Sequence, residues 1–102
     1  MSLQEQYGKA LEALETVLQA GLPCGQNQVD DVERQVARFR DKLIERLRAD
    51  TASAREQEQL RQALDHTNAA LSLLVGVEYP SAGLQESLLQ DAVGLLRQIR
   101  LL

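Results

Sequence analysis

His66 and Cys24 are the side chains of this 102-residue chain best suited to nucleophilic chemistry, and each is the sole residue of its type. A cysteine nucleophile needs a base to take its proton, and His66 is the one histidine that could serve. Cys24 lies in AGLPCG, where a small residue is typical of a turn. One histidine and one cysteine do not complete a structural zinc centre. The sequence therefore predicts no catalytic residue, no metal site and no bound cofactor.

His66 has an alternative role in phosphoryl transfer. Histidine-containing phosphotransfer domains are four-helix bundles of similar size that carry one reactive histidine. Their motif keeps a lysine three residues after the histidine and a glycine next to that lysine, and this chain has Ala69 and Ala70 in those places. Because the lysine neutralises the charge of the transferred phosphoryl group, its absence argues against this chemistry. A signalling bundle that uses His66 is retained as an alternative prediction.

Charge and motifs narrow the classes of partner. The chain contains neither a P-loop motif nor a dinucleotide-binding glycine motif. Its net charge of −4 opposes binding to nucleic acid and to anionic membranes. The basic row on the second predicted helix is largely offset by Glu33, Asp41 and Glu45; it comprises Arg34, Arg38, Lys42 and Arg46. We expect a protein partner or a second copy of the chain, and no nucleic acid, membrane or small-molecule substrate.

The start of the chain and its cysteine content indicate a compartment. MSLQEQYGKALEALE lacks the basic and apolar regions of a secretory signal peptide. The longest nearly apolar run, LSLLVGV, is too short to span a bilayer. One cysteine forms no internal disulfide. These features predict a cytoplasmic protein.

Apolar residues recur every three or four positions along most of the chain, which predicts helices. The first helix begins at the capping box of Ser2 and Glu5 and ends at AGLPCG, where Gly21 is the candidate C-terminal cap. The second runs from about Asn27 to about Ala49, with the apolar stripe Val29, Val32, Val36, Phe39, Leu43 and Leu47.

The third helix begins at a second capping box, formed by Ser53 and Glu56, and the fourth runs from about Ser81 to the end of the chain. The short link before Ser53 also allows the second and third helices to form one bent helix. Short connections favour antiparallel neighbours. We therefore predict an all-α fold, an up-down antiparallel bundle of three or four helices, in one domain over residues 1–102.

The stretch GVEYPSAG forms a corner between the last two helices. Gly76 is predicted to take a positive φ and end the third helix, and Ser81 to cap the fourth. Val77 and Tyr79 are apolar for a surface turn. They either close the end of the bundle or belong to an exposed patch, and both interpretations stay open.

The fourth helix has more apolar surface than one neighbouring helix needs. Its two apolar rows are Leu84, Leu88, Ala92, Leu95, Ile99 and Leu102, and Leu89, Val93 and Leu96. Together they cover about half of the helix circumference. A wide apolar arc on a short chain often marks an interface. The predicted contact set is Val77, Tyr79, Leu89, Val93 and Leu96.

The predicted function is that of a non-enzymatic protein-interaction protein, an adaptor or small chaperone. It is expected to self-associate as a homodimer or to bind a partner's helix through the last helix. A small helical enzyme, such as a chorismate-mutase-like dimer, would need several cations inside the bundle, whereas the predicted interior is almost all aliphatic. The segment RLRADTASAREQEQLRQALDHTNAALSLL resembles the helical hairpin of small chaperones that hold subunits of bacterial type III secretion needles. The resemblance covers less than a third of the chain and implies a chaperone of that class as an alternative.

Overall fold

Four α-helices account for most of the computed structural model, which describes residues 2–49, 53–77 and 82–100. The helices are α1 (Leu3–Ala20), α2 (Gln26–Arg48), α3 (Ala54–Gly76) and α4 (Ala82–Arg97). No strand occurs among the described residues. The predicted all-α fold is confirmed. The predicted cap at Ser81 lies outside the described residues.

The helices form a four-membered ring about one core. Each helix packs against the next in the chain, and α4 also packs against α1, whereas the diagonal pairs make no contact within the described residues. The bundle measures 43 by 21 by 18 Å. Because consecutive helices are antiparallel, α1 and α3 end, and α2 and α4 begin, at one end of the bundle, which is called the upper end below.

Helix boundaries follow the capping residues that the sequence predicts. Ser2 Oγ accepts a hydrogen bond from the Glu5 N–H at 3.1 Å, and Ser53 Oγ accepts one from the Glu56 N–H at 3.2 Å. These bonds satisfy amide groups that have no partner within the first turn of a helix. Gly21 ends α1 with a φ of 103°, as its predicted capping role requires. Since Ser53 has an extended backbone, α2 and α3 are separate helices.

Buried apolar side chains recur with heptad-like spacing on each helix and make a single core. On α2 they are Val29, Val32, Val36, Phe39 and Leu43; on α3 they are Leu60, Ala63, Ala70 and Leu74. The apolar stripe predicted for α2 is therefore confirmed at every position except Leu47, which is half-buried. Large side chains such as Phe39 share the core with small ones such as Ala70, which lets the four helices approach closely.

Gly76 differs from its predicted role. It is the last residue of α3, and among the described glycines the positive φ belongs to Gly21. A Cβ atom placed on Gly76 would lie 2.7 Å from Leu88 Cδ1 of α4. The missing side chain therefore lets Leu88 pack directly over the α3 backbone, and close packing is the reason for glycine here.

Gln85 joins three elements at the upper end of the bundle. Its side chain is 2% exposed. Its Nε2 donates to the Val77 carbonyl at the end of α3 at 2.8 Å, and its Oε1 accepts from the Cys24 N–H of the α1–α2 loop at 3.0 Å. Both backbone groups are thereby paired, which removes the cost of burying them without a partner.

Candidate interaction surface

Four of the five residues in the predicted contact set are core residues. The exposed fractions of Val77, Leu89, Val93 and Leu96 are 1%, 1%, 6% and 0%. The interpretation of these four side chains as an exposed patch is corrected, because neighbouring helices already cover them. For Val77 the structure agrees with the other interpretation, an apolar residue that closes the end of the bundle. Tyr79 lies outside the described residues.

The orientation of α4 explains this correction. Gln85 occupies an inward position, and Ala92 and Ile99 follow it inward at seven-residue intervals. Leu84, one residue earlier, is consequently 44% exposed. Sequence periodicity did not separate the two apolar rows of α4, since either could face the core. Gln85 is the residue that could have identified the inward face of α4, but one Gln does not stand out in a Gln-rich sequence.

The apolar surplus of α4 lies on the face that meets the outside of α3. Leu84, Leu88, Asp91 and Leu95 follow the spacing i, i+4, i+7 and i+11, which places them on one face of the helix. Leu88 and Leu95 are half-buried, and Asp91 is exposed. Since Leu88 packs over Gly76, this face borders α3.

The matching face of α3 is small and apolar. Ala69, Leu73 and Gly76 are spaced i, i+4 and i+7, so they share the face that Gly76 turns toward Leu88. Ala69 is exposed and Leu73 is half-buried. The two faces together are called the α3–α4 seam below; it consists of Ala69, Leu73, Gly76, Leu84, Leu88, Asp91 and Leu95.

The seam borders carboxylates and contains no permanent cation. No Lys or Arg occurs in residues 62–77, which include most of α3 and its C-terminal end, or in residues 82–96 of α4. Their acidic side chains are Asp65, Glu86 and Asp91, all exposed. Glu86 faces the other side of α4, where it lines a cavity with Leu18 of α1. In the described part of the chain, Asp65 and Asp91 are therefore the acidic side chains on and beside the seam, and Arg61 lies one turn before Asp65.

His66 does not have the surroundings that phosphoryl transfer would use. Its ring is half-buried, and its Nδ1 atom is buried with no hydrogen-bond partner in the described part of the chain. Ala69 is exposed and Ala70 is fully buried. The two lysines of the chain, Lys9 and Lys42, belong to α1 and α2. No lysine follows His66 on its own helix to neutralise a phosphoryl group.

Cys24 is a half-buried loop residue. Burial raises the pKa of its thiol, although a backbone hydrogen bond acts in the opposite direction. A raised pKa lowers the thiolate fraction at neutral pH, and the thiolate is the reactive form. Across the described residues, no group of three or more His, Cys, Asp or Glu side chains could hold a metal ion.

Two concave features of the bundle resemble surface grooves more than an active site. A cavity of about 220 Å³ at the lower end lies between α1, α2 and α3 and is lined in part by Arg46 and Glu56. Neither of these side chains is buried. A groove of about 490 Å³ between α1 and α2 is lined mainly by polar side chains such as Lys9 and Asp31. Neither feature gathers the desolvated ionisable groups that are typical of a catalytic site.

Comparisons of the chain with protein-family models, with curated proteins and with solved structures found no match. Over the described residues, no helix has both the length and the apolar character needed to cross a membrane.

Proposed function

We propose that this protein is a non-enzymatic interaction protein, an adaptor or small chaperone, that binds a helix of another protein along the α3–α4 seam. One observation carries the proposal. The apolar row of Leu84, Leu88 and Leu95 lies at the edge of the core, beside the apolar face of α3. Leu88 and Leu95 are half-buried and Leu84 is 44% exposed, so part of this row still contacts water.

The seam is long enough to contact a short helix. From Leu84 to Leu95 it extends over about three turns, about 16 Å along α4. On the α3 side, the exposed Ala69 adds little bulk that would hinder a third helix, whereas the space beside Gly76 is filled by Leu88. A helix laid along the seam would present apolar anchors at positions i, i+3 or i+4, and i+7.

A different protein suits this surface better than a second copy of the chain. A two-fold contact between identical chains places the same patch on both sides of the interface. With Asp65 and Asp91 as its acidic side chains and no Lys or Arg among its own residues, a seam-to-seam contact would bring carboxylates together. A homodimer through the seam is therefore disfavoured, and a partner helix is the favoured occupant.

The test is a selection from a displayed library of amphipathic helices of about 18 residues. The library keeps leucines on one face and randomises the other face, and it is selected against the full-length protein. Binders are then titrated against Leu84→Glu by fluorescence anisotropy. We expect this substitution to weaken binding about tenfold, because it replaces apolar contact area with a charge. Because Leu84 is 44% exposed, the variant should keep its fold, which circular dichroism checks.

Val75→Glu is the matched control. Val75 is 62% exposed, and it is rotated around α3 by about 100° from Gly76 and about 120° from Ala69, so it lies outside the seam face. We expect this variant to bind within about twofold of wild type. A selection that yields no binder would overturn the proposal. Equal losses in the Leu84 and Val75 variants would show that the seam is not the binding surface.

A further inference from the structure

We infer that the helix bound at the α3–α4 seam is cationic, with Lys or Arg on both flanks of its apolar face. This inference rests on the proposed function and adds the chemistry of the partner. Its basis is the charge distribution around the seam. Asp91 lies within the apolar row, three residues after Leu88 and four before Leu95, and it is exposed. A helix anchored on those two leucines must pass beside this carboxylate.

A second carboxylate lies on the opposite border of the seam. Asp65 is exposed and precedes Ala69 by one turn of α3, so it is close to the face that lines the seam. Helices α3 and α4 are antiparallel, and Gly76 lies beside Leu88. Asp65, 11 residues before Gly76, is therefore level with Ile99, 11 residues after Leu88. Asp91 is eight residues from Ile99, so the two carboxylates are offset along the bundle by about 12 Å. The two cations of the partner should therefore be about two turns apart and on opposite flanks.

Asp91 has no Lys or Arg within one turn of it on α4, whereas Asp65 has Arg61 one turn before it on α3. No salt bridge forms at Asp65 or Asp91, whereas such pairs do occur at Asp31, Asp41 and Glu15 elsewhere among the described residues. The chain supplies no Lys or Arg between Arg61 and Arg97. An acidic helix would meet repulsion here, and a neutral helix would leave both charges without a complement. Arg on the partner would add a two-point contact to each carboxylate.

The first experiment determines the sequences of the helices selected from the library. We expect Lys and Arg to exceed Asp and Glu by several-fold at the flanking positions of the binders. Two synthetic helices with the same apolar face, one with Lys and one with Glu at both flanks, are then compared by anisotropy. The Lys helix should bind at least fivefold more tightly, and the difference should shrink when the salt concentration rises from 50 to 500 mM.

The second experiment changes the protein. Asp91→Asn should weaken the Lys helix by about two- to fivefold, the range for an exposed ion pair. Asp91→Lys should reverse the preference toward the Glu helix. Glu12→Gln is the control, since it makes the same charge change at an exposed site on α1, away from the seam; it should leave both affinities unchanged.

The outcomes separate the inference from the proposed function. If the Lys and Glu helices bind equally well and both lose affinity for Leu84→Glu, the seam binds helices but the cationic inference is wrong. If neither helix binds, both proposals are overturned. If light scattering shows a dimer that Leu84→Glu dissociates, a second copy occupies the seam and the inference is also wrong.

Discussion

Helices α2 and α4 both supply a full stripe to the core, yet they present opposite surfaces to solvent. Of the 23 residues of α2, 11 are charged, and its buried residues form one stripe from Val29 to Leu43. Of the 16 residues of α4, three are charged, and apolar residues occupy both its inward face and its border with α3. The charged helix can face the core in only one orientation. The apolar helix has two acceptable orientations.

This difference bears directly on function. A surface such as that of α2, where Arg40 pairs with Asp41 and Arg34 with Asp31, is well hydrated and gains little from covering. The α4 border, by contrast, leaves apolar area in contact with water, and covering it is favourable. The contrast supports the proposal that a partner binds on the α3–α4 side of the bundle and not on the α2 side.

The largest expected effect comes from equivalent core truncations in the two helices. Leu43→Ala on α2 and Leu89→Ala on α4 should each lower the free energy of unfolding by about 2–5 kcal/mol, because both side chains are almost fully buried. Leu84→Ala should cost no more than about 0.5 kcal/mol, since this side chain is largely outside the core. Urea unfolding followed by circular dichroism measures all three. A larger loss for Leu84 than for Leu89 would mean that α4 is rotated relative to the orientation described here.

An intermediate effect is expected at Gln85, which determines that orientation. Gln85→Ala leaves the Cys24 N–H and the Val77 carbonyl without their side-chain partner, at a cost of about 1–3 kcal/mol. Gln90→Ala on the exposed side of α4 is the control and should be close to neutral. Hydrogen exchange should show faster exchange at the Cys24 amide in the Gln85 variant. Unchanged exchange there would argue that the glutamine does not hold the loop.

The smallest effect is expected at Tyr7, which connects the two compared helices. Its hydroxyl donates to the Leu96 carbonyl of α4 at 2.6 Å, and its ring lies 5.3 Å from the Phe39 ring of α2. Tyr7→Phe keeps the ring contact and loses the hydrogen bond, which should cost about 0.5–1.5 kcal/mol near neutral pH. Thermal unfolding measures this loss.

Tyr7 also predicts a pH dependence. Burial raises the pKa of its phenol above the usual value of 10.0. The positive charges of Arg100 and Arg97 act to lower this pKa, but the effect of burial is larger. A group whose pKa is raised in the folded state contributes stability that is fully present below the unfolded-state pKa and is lost as the pH rises through the folded-state pKa. Stability should therefore fall above about pH 10. This fall should be smaller in Tyr7→Phe, and an identical fall in both proteins would contradict the assignment.

Predictions from sequence succeeded where local chemistry leaves one choice. Ser2 and Ser53 cap their helices because a side-chain oxygen in that position can reach the free amides of the first turn. Gly21 ends α1 because a positive φ is accessible to glycine. The α2 stripe was predicted correctly because charged residues flank it on both sides.

Predictions failed where the choice depends on a partner that is distant in the sequence. The reason for glycine at position 76 is its contact with Leu88, twelve residues later, and not a positive φ of its own. Leu89, Val93 and Leu96 are core residues in the orientation of α4 that also lets Gln85 meet Cys24, 61 residues earlier, at the upper end of the bundle. No periodicity within α4 contains that information. The candidate site consequently moved from one apolar row of α4 to the other.

The sequence by itself determined that the chain is all-α, where most of its helices begin and end, and that α4 carries a wide apolar arc; the predicted continuation of the fourth helix to the end of the chain was wrong, because α4 ends at Arg97. These properties depend on capping residues, turn residues and the period of the apolar pattern, all of which act over a few neighbouring positions. Only the tertiary structure decided which part of the α4 arc remains in contact with water. That choice depends on close packing at Gly76 and on the buried hydrogen bonds of Gln85, which exist only once the four helices are assembled.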